Sequence, residues 1–426
     1  MMRKVSPKML DYQQYCRAKT PILSAMVCTA IIFFVYANSI ISTISLQSFS
    51  VEPQQIFGEL HIHTTERQIM STTIFKQPLR SMQDEIKEVD HSEHKSSVIP
   101  PLNLTEEERI MWFRRKVPGF EILKSDNLTK EFHSRVLEFF NNECSVQFFM
   151  TWISPVTSFG RREFLALESV LKVHPHGCLL ILSRDMDSIQ GYRILKPLLD
   201  RKFKVAAVTP DLAFLFKNTP AENWFEEMKS GNKDPGEIPL AQNLSNLIRL
   251  AVLYKYGGIY LDTDFIVLKS FAGLRNAIGA QSIGVSKNWT RLNNAVLIFD
   301  MNHPLLFKFI EEFASTFDGN KWGHNGPYLV SRIVQKVSER PGYNFTILPP
   351  MAFYPVDWNR IGGFFKKPES IAESRWVNAK LLQLSGQTYG IHLWNRQSSR
   401  FSIEEGSIMG RLVSDHCVIC DYKYSS

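Results

Sequence analysis

Two aspartates separated by one residue, Asp262 and Asp264, follow a short apolar run at residues 259–261. Because alternate side chains of a strand point to the same side, the two carboxylates are expected to face the same way. Two carboxylates between apolar segments are costly without a counter-ion. Mn²⁺ or Mg²⁺ suits this role, since such cations bind carboxylate oxygens and often complete their shell with phosphate oxygens. The pair therefore predicts a metal site that stabilises a departing diphosphate.

A predicted helix precedes the acid pair and would form a wall beside it. It begins near Leu240 and ends at Gly257 and Gly258, which let the backbone approach a ligand closely. One of its faces carries a polar stripe at helical spacing, formed by Gln242, Ser245, Asn246 and Arg249. On a largely buried helix this stripe needs partners, which are either structural hydrogen bonds or a ligand. Arg249 is expected to orient Asp262 or to face a phosphate.

The compact body that positions these residues is predicted to begin near Cys144. Three continuously apolar strands alternate with two helices: strands at residues 145–153, 178–183 and 204–209, and helices at residues 161–174 and 195–203. This alternation indicates an α/β fold with a mainly parallel sheet covered on both faces. Ligands of such sheets bind beyond the carboxyl ends of the strands, where the acid pair would lie.

The C-terminal half adds fewer signals. Strands are predicted at residues 281–285 and 295–299, and the polar run at 291–294 between them is either a hairpin loop or a segment that reaches a ligand. Helices are predicted from His303 through Phe313 and from residue 325 to 337. His392 lies in an alternating run at 391–394 and is either a structural histidine or part of the metal site.

The N-terminus predicts a single membrane anchor. Residues 22–46 carry no charge, and this run exceeds the roughly 20 residues that a helix needs to cross a bilayer. Basic residues predominate in residues 1–21, which favours a cytoplasmic tail and a lumenal body. A cleaved signal peptide is the alternative, which the length of the run disfavours. Residues 47–143 are interpreted as a stem and residues 144–426 as the catalytic domain.

Charge, cysteines and sequons fit a lumenal protein. The net charge of +7 comes from lysines and arginines spread along the chain without a dense basic block, so we expect no nucleic-acid partner. Disulfides are expected among Cys144, Cys178, Cys417 and Cys420, with three pairings open. Five Asn-x-Ser/Thr triplets are candidate glycosylation sites, at Asn103, Asn127, Asn243, Asn288 and Asn344.

With these motifs in view, residues 240–271 resemble the sugar-binding, D-x-D-bearing region of the α-1,4-galactosyltransferase and globotriaosylceramide-synthase-like glycosyltransferases, especially their plant members. The resemblance extends over about residues 146–413 and includes the runs 183–185, 293–295, 326–327 and 391–394. It implies a GT-A-like nucleotide-sugar-binding fold and a UDP-sugar donor whose diphosphate Mn²⁺ bridges to the D-x-D pair. It also implies retention of anomeric configuration and a Golgi type II membrane layout.

The resemblance assigns roles to individual residues. Asp262, Asp264 and His392 are expected to be catalytic, the two aspartates as metal ligands. Six further residues are expected to bind the donor: Ser245, Asn246, Arg249, Gly258, Tyr260 and Asn294. The start of the helix at residues 326–327 is expected near the acceptor. One departure is Asn246, because many relatives carry Asp at that position, and an amide donates as well as accepts hydrogen bonds.

The sequence therefore predicts a metal-dependent Golgi glycosyltransferase that moves a sugar, galactose or a related hexose, from a UDP-sugar to a glycan or glycolipid acceptor. Two alternative functions agree less well with the sequence. A haloacid-dehalogenase-like phosphatase would need Thr or Val where this chain has Ile266. A catalytically inactive sugar-binding protein or Golgi scaffold is disfavoured because both aspartates are present.

Overall fold

The computed structural model describes residues 99–101, 103–141 and 144–420. The predicted tail, the predicted anchor at residues 22–46 and most of the predicted stem lie outside these ranges. Among the helices that the structure describes, none combines the length and the apolar character needed to cross a bilayer.

Nine strands form two sheets in the described part of the chain. They are β1 (Gln147–Thr151), β2 (Cys178–Leu182), β3 (Lys204–Val208), β4 (Gly258–Leu261), β5 (Phe265–Val267), β6 (Ala277–Ile283), β7 (Trp289–Phe299), β8 (Thr346–Leu348) and β9 (Gly390–His392). Seven of them form the central sheet in the order β3-β2-β1-β4-β7-β6-β8. Within this sheet only β7 pairs antiparallel with its neighbours. The expected GT-A-like α/β fold with a mainly parallel central sheet is therefore confirmed.

Apolar residues on both faces explain the continuous apolar strands. In β1, Phe148 and Met150 belong to one buried cluster and Phe149 to the other. In β2, Leu179 joins the first cluster and Leu180 the second. Successive side chains of a strand point to opposite faces, so a sheet with a core on each side needs apolar residues at every position.

Fourteen helices surround the central sheet in the described ranges. The first seven are α1 (Glu106–Lys116), α2 (Asn127–Lys130), α3 (Phe132–Phe139), α4 (Arg161–Val173), α5 (Ile189–Leu199), α6 (Leu212–Phe216) and α7 (Ala221–Lys229). The others are α8 (Leu240–Tyr256), α9 (Pro304–Thr316), α10 (Pro327–Val337), α11 (Pro350–Phe353), α12 (Ile371–Gln387), α13 (Asn395–Ser398) and α14 (Ile408–His416). Short 3-10 turns complete the set.

The compact body extends further toward the N-terminus than the sequence predicts. Helices α1 to α3 lie within the predicted stem, yet Phe113, Phe132 and Val136 are buried in the second core cluster. Arg109 of α1 also donates to Asp234, which precedes α8. The predicted stem boundary at residue 143 missed this packing because the segment is highly charged and its apolar positions are sparse.

Two further elements differ from their predictions. Helix α5 begins at Ile189 and ends at Leu199 instead of covering residues 195–203, because Ser188 caps its N-terminus by accepting from the Gly191 N–H. The run at residues 291–294, predicted between two strands, lies within β7. It pairs there with β6 through irregular register, which accommodates polar residues inside a strand.

The pairing of β5 with β9 brings the C-terminal part of the chain to the acid pair. In this small antiparallel sheet Phe265 pairs with His392 and Ile266 with Ile391. The disulfides join Cys144 to Cys178 and Cys417 to Cys420. The first of these links the entry of β1 to the start of the neighbouring β2.

Candidate active site

The acid pair lies at the carboxyl end of β4, next to the point where the central sheet changes from parallel to antiparallel pairing. Strand β4 pairs parallel with β1 and antiparallel with β7. The Asp262 N–H donates to the Ala295 carbonyl of β7 at 2.9 Å, and the Phe265 N–H donates to the Asp262 carbonyl at 3.1 Å. These bonds fix a tight turn that carries both aspartates out of the sheet.

His392 completes a group of three ligand-type side chains. Each of Asp262, Asp264 and His392 offers one ligand atom, and these three atoms lie within 4.8 Å of one another. The His392 Nε2 lies 3.1 Å from Asp264 Oδ1 and 3.9 Å from Asp262 Oδ2. The Leu393 N–H donates to the Asp264 carbonyl at 2.8 Å, so the backbone of β9 holds the imidazole in this position.

Arg249 approaches Asp262 from α8, as the polar stripe predicts. Its Nη2 lies 3.0 Å from Asp262 Oδ1, and its Nη1 donates to Asp262 Oδ2 at 3.3 Å. The guanidinium also donates to the Ser245 hydroxyl and to the Asn294 carbonyl, and it covers the ring of Tyr260 at 4.6 Å. The Tyr260 hydroxyl donates to Asp262 Oδ1 at 3.0 Å. Arg249 therefore orients Asp262 while Tyr260 supports them both.

Two predicted donor-binding amides contact each other on the other side of Arg249. The Asn294 Nδ2 donates to Asn246 Oδ1 at 2.9 Å. A Cβ atom at Gly326 would lie only 2.8 Å from the same Asn246 oxygen, so the chain before α10 passes directly over this amide. Glycine at residue 326 permits this approach, and the turn it ends becomes part of the site wall.

Gly258 is the one predicted donor-binding residue that the structure does not bring to this group. It is the first residue of β4, whereas the acid pair follows the last. Its φ is +104°, and a Cβ atom added there would lie only 2.8 Å from the Gln147 carbonyl oxygen. Both facts explain why the position requires glycine. Gly258 therefore serves the packing of β4 against β1.

Burial disfavours charge throughout the group, yet the pKa values of its members move apart. Burial, reinforced by Asp264, raises the pKa of Asp262 although Arg249 opposes the rise. Burial alone would also raise the pKa of Asp264, but His392 and the Asn395 N–H outweigh it and hold that pKa below its ordinary value. Burial opposes the imidazolium of His392, and the two carboxylates outweigh burial, so its pKa is raised. Asp264 therefore favours a positively charged partner.

Asn395 and Glu163, which the sequence did not single out, support the acid pair. The Asn395 N–H donates to Asp264 Oδ2 at 2.9 Å, and the Asn395 amide donates to Glu163 Oε1 at 3.1 Å. Trp394 adopts a left-handed conformation, with φ of +55°, and turns the chain from β9 into α13. The only sequence signals for these two residues were that Asn395 is polar and directly follows the 391–394 run, and that Glu163 is an acid in the first turn of α4.

A buried polar atom within the three-residue group lacks a partner. The His392 Nδ1 is buried without a hydrogen-bond partner among the described residues. Buried polar groups are normally satisfied, so such a group indicates a missing partner. Two carboxylates and one imidazole also form a donor set that suits Mn²⁺. The residues present therefore fit a divalent cation with a polar ligand.

Two family models match most of the compact body. Residues 160–284 match the glycosyltransferase sugar-binding region containing the DXD motif. Residues 298–423 match the alpha 1,4-glycosyltransferase conserved region. The first match contains α8 and the acid pair, and the second contains His392 and the turn at Gly326.

Individual relatives agree with these models. Lactosylceramide 4-alpha-galactosyltransferase of Mus musculus is 33% identical over 264 residues, which cover 59% of this chain and 68% of that protein. Alpha-1,4-N-acetylglucosaminyltransferase of Homo sapiens is 27% identical over 219 residues, which cover 49% of this chain and 58% of that protein. Among solved structures, PaToxG glycosyltransferase aligns with a TM-score of 0.35 and 17% identity, over 65% of this chain and 86% of that one.

Proposed function

Since the chain is a glycosyltransferase of the alpha 1,4-glycosyltransferase family, we propose that it transfers a hexose, galactose or a related sugar, from a UDP-sugar to a glycan or glycolipid acceptor. The bond from C1 of the sugar to the diphosphate breaks, C1 bonds to an acceptor hydroxyl, and that hydroxyl releases its proton. UDP is the leaving group, and the product carries an α-linkage with the anomeric configuration retained.

The observation that carries this proposal is the convergence of Asp262, Asp264 and His392 at the end of β4. Asp262 and Asp264 would hold Mn²⁺ or Mg²⁺, with His392 beside them. Such a cation, when bound, supplies positive charge to the leaving diphosphate. The residues of the chain keep the two carboxylates apart and oriented: Arg249 holds Asp262, and the Asn395 N–H holds Asp264.

The donor sugar is proposed to lie against α8 and the segment at Asn294. Ser245, Asn246 and Arg249 offer hydroxyl, amide and guanidinium groups along one side of that helix. By their names, one relative transfers galactose and another transfers N-acetylglucosamine. Asn246, whose amide contacts Asn294, is the residue that we expect to influence this choice.

We place the enzyme in the Golgi, as a single-pass type II membrane protein with residues 1–21 cytoplasmic, 22–46 as anchor and the catalytic domain in the lumen. The uncharged run at residues 22–46 and the basic residues before it support this topology. The two disulfides suit an oxidising compartment. In sealed microsomes a C-terminal tag should resist protease until detergent is added; digestion without detergent contradicts this topology.

The activity is tested with the purified full-length chain in detergent. Each of several UDP-sugars is supplied with octyl β-lactoside as acceptor, and UDP release and glycoside products are measured with Mn²⁺ and with EDTA. We expect one UDP-hexose to be used at least ten times faster than the others, with loss of activity in EDTA. A folded protein that turns over no UDP-sugar would instead favour an inactive sugar-binding protein.

A further inference from the structure

An exposed tryptophan and an arginine contact each other at the edge of the candidate site. The guanidinium of Arg396 lies 3.7 Å from the centre of the Trp322 ring, which is a cation–π pair, and Trp322 is 47% exposed. Single exposed apolar side chains are ordinary on protein surfaces. What distinguishes this pair is therefore its position beside the candidate site, more than its exposure to solvent.

The turn that bears Trp322 is fixed to the donor side of the site. Asn325 donates through its amide to Asn243 Oδ1 at 2.9 Å, which ties the turn to the first residues of α8. One residue later Gly326 packs on the Asn246 amide. Trp322 therefore belongs to the turn that covers the predicted donor-binding helix.

The helix that bears Arg396 is fixed to the metal side of the site. Helix α13 begins with Asn395, whose N–H donates to Asp264 Oδ2 at 2.9 Å. Arg162 of α4 donates to the Ser398 hydroxyl at 2.9 Å and so holds the other end of α13. Arg396 is the residue after Asn395, so its contact with Trp322 joins the two sides of the site.

We infer that Trp322 and Arg396 form the acceptor subsite, with the indole as a platform for the apolar face of a terminal β-linked galactose or similar hexose. This inference rests on the proposed function. The donor-side residues Asn246 and Asn294 are buried, whereas Trp322 is open to solvent. An acceptor must enter from solvent and meet the sugar of an already bound donor, so its contacts belong on the outer wall.

The chemistry of the pair suits a sugar ring. A β-galactopyranoside presents the C–H bonds of C3, C4 and C5 on one ring face, and an aromatic face with its negative quadrupole attracts such positively polarised hydrogens. Arg396 holds the indole from one side, with its guanidinium 3.7 Å from the ring centre. The indole therefore selects for a ring with one apolar face.

The test compares Trp322→Ala, Trp322→Phe and wild type in the full-length chain. With the UDP-sugar that wild type uses fastest and Mn²⁺, initial rates are measured against methyl and octyl β-lactoside and methyl and octyl β-galactoside. In Trp322→Ala the acceptor KM should rise by roughly tenfold, which is the effect expected when one aromatic contact is lost. Trp322→Phe should recover most of this loss. UDP affinity, measured by calorimetry with Mn²⁺, should stay within about twofold of wild type.

A matched control is Trp376→Ala, because Trp376 is 48% exposed and lies on α12 with its ring against Phe364. It should leave every acceptor KM unchanged. An unchanged acceptor KM in Trp322→Ala overturns the inference, and so does transfer to none of the four glycosides by wild type. A loss confined to the octyl glycosides also overturns it, since Trp322 would then contact the aglycone. If wild type binds no UDP with Mn²⁺, the proposed function itself fails.

Discussion

Arg249 and Asp262 are joined at two points inside the protein, with Nη2 3.0 Å from Oδ1 and Nη1 3.3 Å from Oδ2. Arg249 is only 2% exposed and the Asp262 side chain is 25% exposed, so this largely buried ion pair also borders the proposed metal site. Removing one member of such a pair leaves an uncompensated charge. The pair therefore connects the stability of the fold to occupation of the site.

Arg249→Met should destabilise the metal-free protein by about 3 kcal/mol, because Asp262 would keep a buried carboxylate without its partner. A divalent cation at Asp262 would supply positive charge, so saturating Mn²⁺ should reduce the penalty. Thermal unfolding of wild type and variant, each with EDTA and with Mn²⁺, measures both effects. An equal penalty under both conditions would show that no cation approaches Asp262.

Asn246→Asp should change the choice of donor sugar while the fold is retained. The Asp oxygen can still accept from the Asn294 amide, but the side chain loses its own N–H donors and gains a negative charge. We expect the ratio of kcat/KM between UDP-galactose and UDP-N-acetylglucosamine to move by at least about tenfold, which corresponds to ~1.4 kcal/mol. Unchanged ratios in a folded variant would remove Asn246 from the donor site.

Glycans should be absent from Asn243 even where the other described sequons are modified. Asn243 is 3% exposed in the first turns of α8, and its Oδ1 accepts from Asn325. Asn103, Asn127, Asn288 and Asn344 are exposed. Site-specific mass spectrometry of the protein from a eukaryotic secretory host checks this pattern, and a glycan on Asn243 would require α8 to be packed differently.

Glu312 should stabilise the protein in a pH-dependent manner. It is buried on α9, and burial alone would raise its pKa, but Arg332 and Lys336 bind both oxygens and lower that pKa below the ordinary value. A lowered folded pKa means that the stabilisation is present above about pH 4.5 and lost as pH falls through the folded pKa. Glu312→Gln should therefore cost about 2 kcal/mol at pH 7. Urea unfolding at pH 7 and near pH 3 should show the gap between variant and wild type closing at the lower pH.

Local patterns predicted the part of the site that lies within one continuous segment. The helical spacing of the polar stripe and the alternation of the acid pair were enough to place Arg249 beside Asp262. Gly258 lies in the same segment, but its conformational role could not be separated from a ligand role until the direction of β4 and its contact with Gln147 were known.

Long-range pairing supplied what the sequence could not. His392 reaches Asp264 because β5 pairs with β9, and Asn395 follows only because Trp394 adopts a left-handed conformation. The resemblance to known glycosyltransferases, rather than any local pattern, predicted that His392 lies near the proposed metal site. The packing of α1 to α3 likewise depends on isolated apolar residues such as Phe113 that have no strong period.

If Asp262 and Asp264 hold a divalent cation that the leaving diphosphate requires, Asp264→Asn should remove both cation binding and sugar transfer. An amide has the same shape and can still accept from the Asn395 N–H, so the fold should persist, but it lacks the charge that binds the cation. Electron paramagnetic resonance titration with Mn²⁺ in the presence of UDP and turnover of the UDP-sugar are measured together, with Asp200→Asn at the exposed end of α5 as control. We expect Mn²⁺ affinity and turnover each to fall at least about 100-fold, equivalent to ~2.7 kcal/mol, in Asp264→Asn alone. A folded Asp264→Asn protein with near-wild-type Mn²⁺ affinity and turnover would show that the two aspartates hold no cation needed for transfer.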